Sequence, residues 1–406
     1  MRPTRRGLLV LAPVVAVAGC ARDASPGSSP TGATTGSSPV ASPAPTSSVP
    51  SSPTGSSAPG SSAPGASSAQ PSSPGELPLE VQVGQLLMVG HDRPTLDPAT
   101  RDLFSRHQIG SMLLLGNALG GRSGIAALTS QLAGLDLAVP LVVAADQEGG
   151  RVQRLSGSGF STIPTAVEQA KLGPRALEER WRGWGGELAR AGVHYNLAPV
   201  ADLVPPDYVS RNAPIGQLQR NYGTDAQTVA ASTSAVVAGL RAAGVASALK
   251  HFPGLGRVTV NTDFGVAVDE VTTGTDAELA PFVAAIKAGA SSVMVSSAIY
   301  RRIDPEQQGV FSSRIITGLL RQRLGFEGVV IADDLGAAVA VKEVSPGERA
   351  VRFLQAGGDL VITADPELAA PMAKAILARA EQDQAFAAEL TRKAERVLAL
   401  KASVSR

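Results

Sequence analysis

The chain has 406 residues, 44 % of them hydrophobic and only 4 % aromatic, and its 36 lysines and arginines nearly cancel its 35 acidic residues, leaving a formal charge of +1. That balance, with no basic stripe of interleaved aromatics, argues against a nucleic-acid partner. One cysteine leaves no disulfide within a chain, and the four scattered histidines, His91, His107, His194 and His251, have no zinc-ligand spacing, so no metal and no cofactor is expected.

The chain opens with MRPTRRGLLVLAPVVAVAGC, three arginines followed by an apolar run from Gly7 to Gly19. The run is too short to span a bilayer and predicts an export signal. It ends in VAGC, a small-residue cleavage site before Cys20 that resembles a bacterial lipoprotein box, in which the cysteine becomes the lipidated first residue. An ordinary cleaved signal with an incidental cysteine is the alternative, but the absence of any other cysteine favours lipidation. The expectation is an exported protein held at the outer face of the cell membrane through Cys20, with Sec and twin-arginine export (Arg5-Arg6) both open.

From Ala24 to Gly75 the chain is uncharged Ser, Pro, Gly, Ala and Thr, broken only by Val40, Val49 and Gln70. Such a composition cannot close a core. It predicts a disordered linker over 21–76, with a reach of about 40 Å as a flexible coil and roughly 160 Å drawn out as polyproline II.

Residues 77–406 carry the folded domain. Eight short apolar runs recur there: QLLMVG, GSMLLLG, LVVAADQ, YNLAPVAD, ASALKHF, SSVMVSS, GVVIADD and DLVITA. Helical patterns separate them. In residues 225–244, Val229, Val236, Val237 and Leu240 share one face, Asp225 or Thr224 can cap the start and Gly244 can end it. Residues 312–325 repeat the design with Ile315, Ile316, Leu319, Leu320 and Leu324, ending at Gly325. Eight strands alternating with helices predict a (β/α)₈ TIM-type barrel, with a doubly wound sheet as the competitor. Polar groups arrive at the ends of the strands, where a barrel gathers its active site, so Asp146, Asp202, Lys250, His251 and Asp333 are expected at one mouth. The glycines of KHFPGLG read as a flexible loop, too short for a dinucleotide or phosphate fingerprint.

The segments DQEGGRVQRL, NLAPVAD, KHFPGLG and LGFEGVVIADDLG fall in order at these strand ends and resemble glycoside hydrolase family 3, in particular its single-barrel bacterial β-N-acetylglucosaminidase branch. The resemblance covers most of residues 80 to 375. It implies retaining hydrolysis of an N-acetylglucosamine-containing glycan, plausibly a peptidoglycan-derived muropeptide. Asp333 is then the nucleophile, which suits a mechanism that needs one carboxylate to form a glycosyl ester and a second group to carry a proton. Asp334 competes for that role, with helix capping as its other reading. The resemblance makes Asp146, Arg154, Arg220, Lys250 and His251 contacts to the sugar, although either arginine could instead pair with an acid.

One departure stands out. In the family branch a histidine thirteen residues beyond the lysine is the general acid/base, and an aspartate two before it orients it; here those positions read Asn261-Thr262-Asp263. Asp263 is the leading replacement, a carboxyl in place of the imidazole, which a raised pKa would keep protonated for the first step. Such a carboxylate would also repel phosphate and favour hydrolysis over phosphorolysis. The alternatives are another acid from a mobile loop (Glu148, Asp202, Asp225 or Glu270) or a glycan-binding lipoprotein without turnover. Ser297, where the branch often has a histidine, keeps that last reading open, and the retained Asp333 argues against it.

Overall fold

The computed structural model describes residues 74–116 and 120–404; the expected export signal, Cys20 and the expected linker up to residue 73 lie outside the described residues. The described residues belong to one unit running from Ser67 to Arg406.

Eight parallel strands form the centre: β1 (Leu87–His91), β2 (Ser111–Leu114), β3 (Val142–Ala145), β4 (Tyr195–Asn196), β5 (Ala246–Phe252), β6 (Ser292–Val295), β7 (Val329–Ala332) and β8 (Val361–Thr363). Each pairs with its neighbours in sequence, and β1 pairs with β8. A parallel bridge from Ile331 to Leu360 links β7 to the start of β8 and closes the ring. A doubly wound sheet would instead reverse strand order at a switch point. All eight strands are buried along their length, which is why they read as continuous apolar stretches rather than alternating ones.

A helix follows each strand on the outside. The helix expected over 225–244 spans Ala226–Ala242. Asp225, not Thr224, caps it by accepting the Thr228 N–H at 2.8 Å, and Gly244 ends it at φ +72°. Val229, Val236, Val237 and Leu240 are fully buried. Gly239 lets this helix approach its neighbour Pro174–Ala189, since a Cβ there would lie 2.5 Å from the Glu178 carbonyl oxygen.

The segment expected as an ordinary helix over 312–325 is a π-helix, Arg314–Arg323, ending with Leu324 N–H bonded to the Leu319 carbonyl. Ile315, Ile316, Leu319 and Leu320 are buried as the pattern requires. Apolar spacing reports which face meets the barrel, and it does not distinguish bonding to i−4 from bonding to i−5.

The two ends of the barrel differ. At the N-terminal end, the fully buried Asp359 accepts from Arg321, from Arg396 at 2.7 Å and from Val330 N–H at 2.8 Å, a closed ionic plug. Every candidate site residue lies at the opposite, C-terminal end.

Candidate active site

A cavity of about 630 Å³ opens at the C-terminal mouth, and seven of the expected site residues line it: Asp146, Arg154, Arg220, Lys250, His251, Asp263 and Asp333. Leu113, Leu197, Met294 and Ile362 add an apolar part.

One wall is a buried ionic network. Asp146 follows β3, and the chain then folds into a tight ribbon, Gln147–Gly149 against Val152–Gln153, turning at Gly149 and Gly150 with φ +98° and +57°. The ribbon directs Glu148 inward, and Arg154 N–H bonds back to the Asp146 carbonyl at 3.1 Å. Lys250 Nζ, on β5, lies 2.6 Å from Asp146 Oδ1 and 2.7 Å from Glu148 Oε1. Arg220 grips Glu148 bidentately, Nε to Oε2 at 2.9 Å and Nη2 to Oε1 at 2.7 Å. Burial pushes the Glu148 carboxyl up, and the charges of Arg220 and Lys250 override it and hold the group well below the usual carboxylate range. For Lys250, burial acts downward and is outweighed by Asp146 and Glu148, so the ammonium is held above its ordinary value. The result is a fixed row of charged donors and acceptors suited to sugar hydroxyls. Arg154 Nε is buried with no hydrogen-bond partner, a donor left over for a ligand.

Glu148 therefore positions the cations. Replacing it as Glu148→Gln leaves Lys250 and Arg220 with one carboxylate fewer in a buried setting, and the expected cost is about 3–5 kcal/mol in chemical denaturation. An unchanged denaturation midpoint would show that the network does not depend on that charge.

His251 adjoins this wall. The Lys250–His251 peptide is cis, and both neighbouring side chains reach the cavity. Asp202, fully buried, holds the histidine from below: Oδ2 lies 2.8 Å from Nδ1, while Oδ1 accepts the backbone N–H groups of His251 and Leu255 at 2.9 and 2.8 Å. With Nδ1 engaged, Nε2 is the ring nitrogen left for the cavity. Asp202 was expected at the mouth itself; it does not line the cavity and acts beneath it, by orienting His251 and the loop.

That loop is pinned rather than flexible. A Cβ at Gly256 would lie 1.7 Å from the Leu203 carbonyl oxygen, so only glycine permits the contact. The buried Asn212 donates to the carbonyls of Leu255 and Val258, both at 2.7 Å. An isolated Gly-Leu-Gly looks loose in sequence because its partners, on the loop after β4, lie some fifty residues away.

Asp333 follows β7, its N–H bonded to Val295 O at 3.0 Å. Burial pushes its carboxyl above the ordinary aspartate value; His251 opposes the shift, and the charges of Asp263 and Asp334 add to it. Asp334 has a different task. Its Oδ1 accepts the N–H groups of Gly336 and Ala364 at 2.8 and 2.9 Å and its Oδ2 that of Ala337 at 2.9 Å, tying the loop after β7 to β8. Arg349 braces the same loop through the carbonyls of Leu335, Gly336 and Val344.

The shift at Asp333 has a consequence for stability. A carboxyl whose folded pKa lies above its unfolded value loses stability as pH rises through the ordinary aspartate range. The variant Asp333→Asn lacks that charge, so its Tm is expected to exceed the parent's at pH 7, with the gain shrinking as pH falls toward about 4, the ordinary aspartate value, and gone below it. A lower Tm at pH 7 would contradict the burial penalty.

Asp263 stands on an exposed loop at the cavity edge, near enough to Asp333 for their charges to interact. Its N–H bonds to Asn261 Oδ1 at 3.0 Å, and its carbonyl accepts from Val339 N–H at 3.3 Å. The other acids weighed for proton transfer are engaged elsewhere: Glu148 with two cations, Asp202 with His251, Asp225 as a helix cap. Glu270 is exposed, 3.9 Å from Arg301, and does not line the cavity. Ser297 is fully buried beyond β6, its Oγ without a partner.

A barrel with two interacting carboxylates facing a wall of charged donors and acceptors has the make-up of a glycoside-hydrolase site. Residues 78–400 match the Glycosyl hydrolase family 3 N terminal domain, and the chain belongs to that family. A beta-hexosaminidase of Xanthomonas oryzae pv. oryzae is 34 % identical over 308 residues, 72 % of this chain and 88 % of that protein. Among solved structures, a beta-N-acetylhexosaminidase from Beutenbergia cavernae superposes with a TM-score of 0.78 at 47 % identity, covering 80 % of this chain and 99 % of that one. A family 3 beta-N-acetylglucosaminidase from Paenibacillus sp. gives a TM-score of 0.74 at 30 % identity, covering 81 % of this chain and 63 % of that one.

Proposed function

We propose that the protein is a retaining β-N-acetylglucosaminidase that hydrolyses terminal β-linked N-acetylglucosamine from peptidoglycan-derived fragments, with Asp333 as nucleophile and Asp263 as acid/base. The observation that carries the reading is the meeting of these two carboxylates, electrostatically coupled, in the one cavity that also holds Asp146, Arg154, Arg220, Lys250 and His251. The names of the relatives supply the sugar.

In the first step Asp333 forms a bond to the anomeric carbon as the glycosidic bond breaks, and Asp263 delivers a proton to the departing oxygen. In the second, the Asp263 carboxylate takes a proton from water, whose oxygen attacks the anomeric carbon and frees Asp333. Burial disfavours the Asp333 charge in the free protein, and positive charge developing on the sugar ring offsets that cost in the transition state. An anionic acceptor would meet the Asp263 carboxylate, so water is the favoured acceptor over phosphate.

The cell-envelope setting rests on sequence. Cys20 would carry the lipid, the export signal would bring the chain to the outer face of the membrane, and the linker would let the barrel reach wall-derived muropeptides. No helix among the described residues is long and apolar enough to cross a membrane.

The test is release of nitrophenolate from 4-nitrophenyl β-N-acetylglucosaminide by the purified protein, followed by release of N-acetylglucosamine from muramidase-digested peptidoglycan. Turnover of both supports the reading. Binding of N-acetylglucosamine without turnover of either would make the protein a glycan-binding lipoprotein instead.

A further inference from the structure

We propose that Phe264 is the platform on which the sugar leaving the substrate rests, so that it sets specificity for the departing group rather than for the N-acetylglucosamine retained. This rests on the glycosidase reading above and extends it to the other half of the substrate.

Phe264 lines the cavity that holds Asp333 and Asp263, yet its side chain is 81 % exposed. Its neighbours on the loop, Val260 and Val266, are also exposed, at 41 % and 48 %. The backbone beneath the ring is fixed: the N–H groups of Phe264 and Gly265 bond to the Asn261 carbonyl at 3.0 and 3.1 Å, and Val339 and Ala340 donate to the carbonyls of Asp263 and Thr262 at 3.3 and 3.2 Å. The ring is thus held at the mouth, beside Asp263, without a core to enter.

Chemistry identifies what would cover it. An acid that protonates the glycosidic oxygen lies within hydrogen-bond reach of the first atom of the leaving group. The residue next to Asp263 in the chain is therefore beside the first ring of that group. The charged residues assigned to the hydroxyls lie on β5 and on the loops after β3 and β4, whereas the apolar residues on this side of the mouth are Phe264, Ala337 and Ala338, beside Asn261, Thr262 and Asp334. A pyranose presents a face of C–H groups that an aromatic ring covers without demanding a particular hydroxyl pattern. The ligand class is a saccharide leaving group of six-membered rings, recognised by its apolar face.

The test compares the whole protein with Phe264→Ala and Phe264→Trp on two substrates: the β-1,4-linked disaccharide of N-acetylglucosamine, and β-N-acetylglucosaminyl azide, whose leaving group is too small to stack. Phe264→Ala is expected to lower kcat/KM for the disaccharide roughly three- to tenfold, the scale of one aromatic contact. The azide and inhibition by free N-acetylglucosamine should respond far less, and Phe264→Trp should restore the disaccharide. Equal losses on both substrates would mean that the ring only supports the loop, and an unchanged disaccharide value would mean that it does nothing; either overturns the platform. Wild-type protein that cleaves neither substrate overturns the glycosidase reading and this proposal with it.

Discussion

The variant Asp333→Ala is expected to lose turnover of aryl β-N-acetylglucosaminides by roughly 10⁴-fold or more, the scale on which removal of a covalent nucleophile acts. The cause is specific: Asp333 is the half-buried carboxylate just after β7, facing the cavity, and Asp334 is occupied by three backbone N–H groups. Those contacts leave Asp334 poorly placed to substitute. Affinity for free N-acetylglucosamine should persist, because the residues assigned to the sugar lie on β5 and on the loops after β3 and β4. Retained turnover in this variant, with intact folding, would remove Asp333 from the mechanism.

The second large effect concerns the proton. Asp263→Asn should slow substrates with poor leaving groups by about 10²- to 10⁴-fold, the usual contribution of a general acid. Activated aryl substrates should lose much less in the glycosylation step, since a phenolate with electron-withdrawing groups departs without protonation. Equal losses on both classes would mean that the loop supports the fold and that another group carries the proton. The distinction matters here because the residue is an aspartate where the family branch has histidine, and no other acid weighed for the role lines the cavity.

Much of this arrangement was legible in the chain. The barrel followed from eight apolar runs, each short, each followed by a helical pattern; the polar residues at their ends pointed to Asp146, Lys250, His251 and Asp333, and the family resemblance added Arg154, Arg220 and Asp263. Asp225 and Gly244 bracket their helix because cap chemistry is local. What escaped reading depends on contacts between distant segments. Lys250 meets Asp146 across 104 residues, and His251 meets Asp202 across 49, so the roles of Glu148 and Asp202 as supports emerge only once the barrel closes. The same holds for Gly256, which looks like slack and is a close approach to Leu203. The π-helix at Arg314–Arg323 escaped for another reason, since its buried residues satisfy either helical bonding pattern.

The most direct test of the account is the anomeric configuration of the sugar first released, followed by proton nuclear magnetic resonance during rapid hydrolysis of an aryl β-N-acetylglucosaminide. Double displacement through Asp333 predicts β-N-acetylglucosamine as the initial product, with the α-anomer growing in later by mutarotation. The α-anomer appearing first would mean direct attack by water, and would contradict Asp333 as a covalent nucleophile.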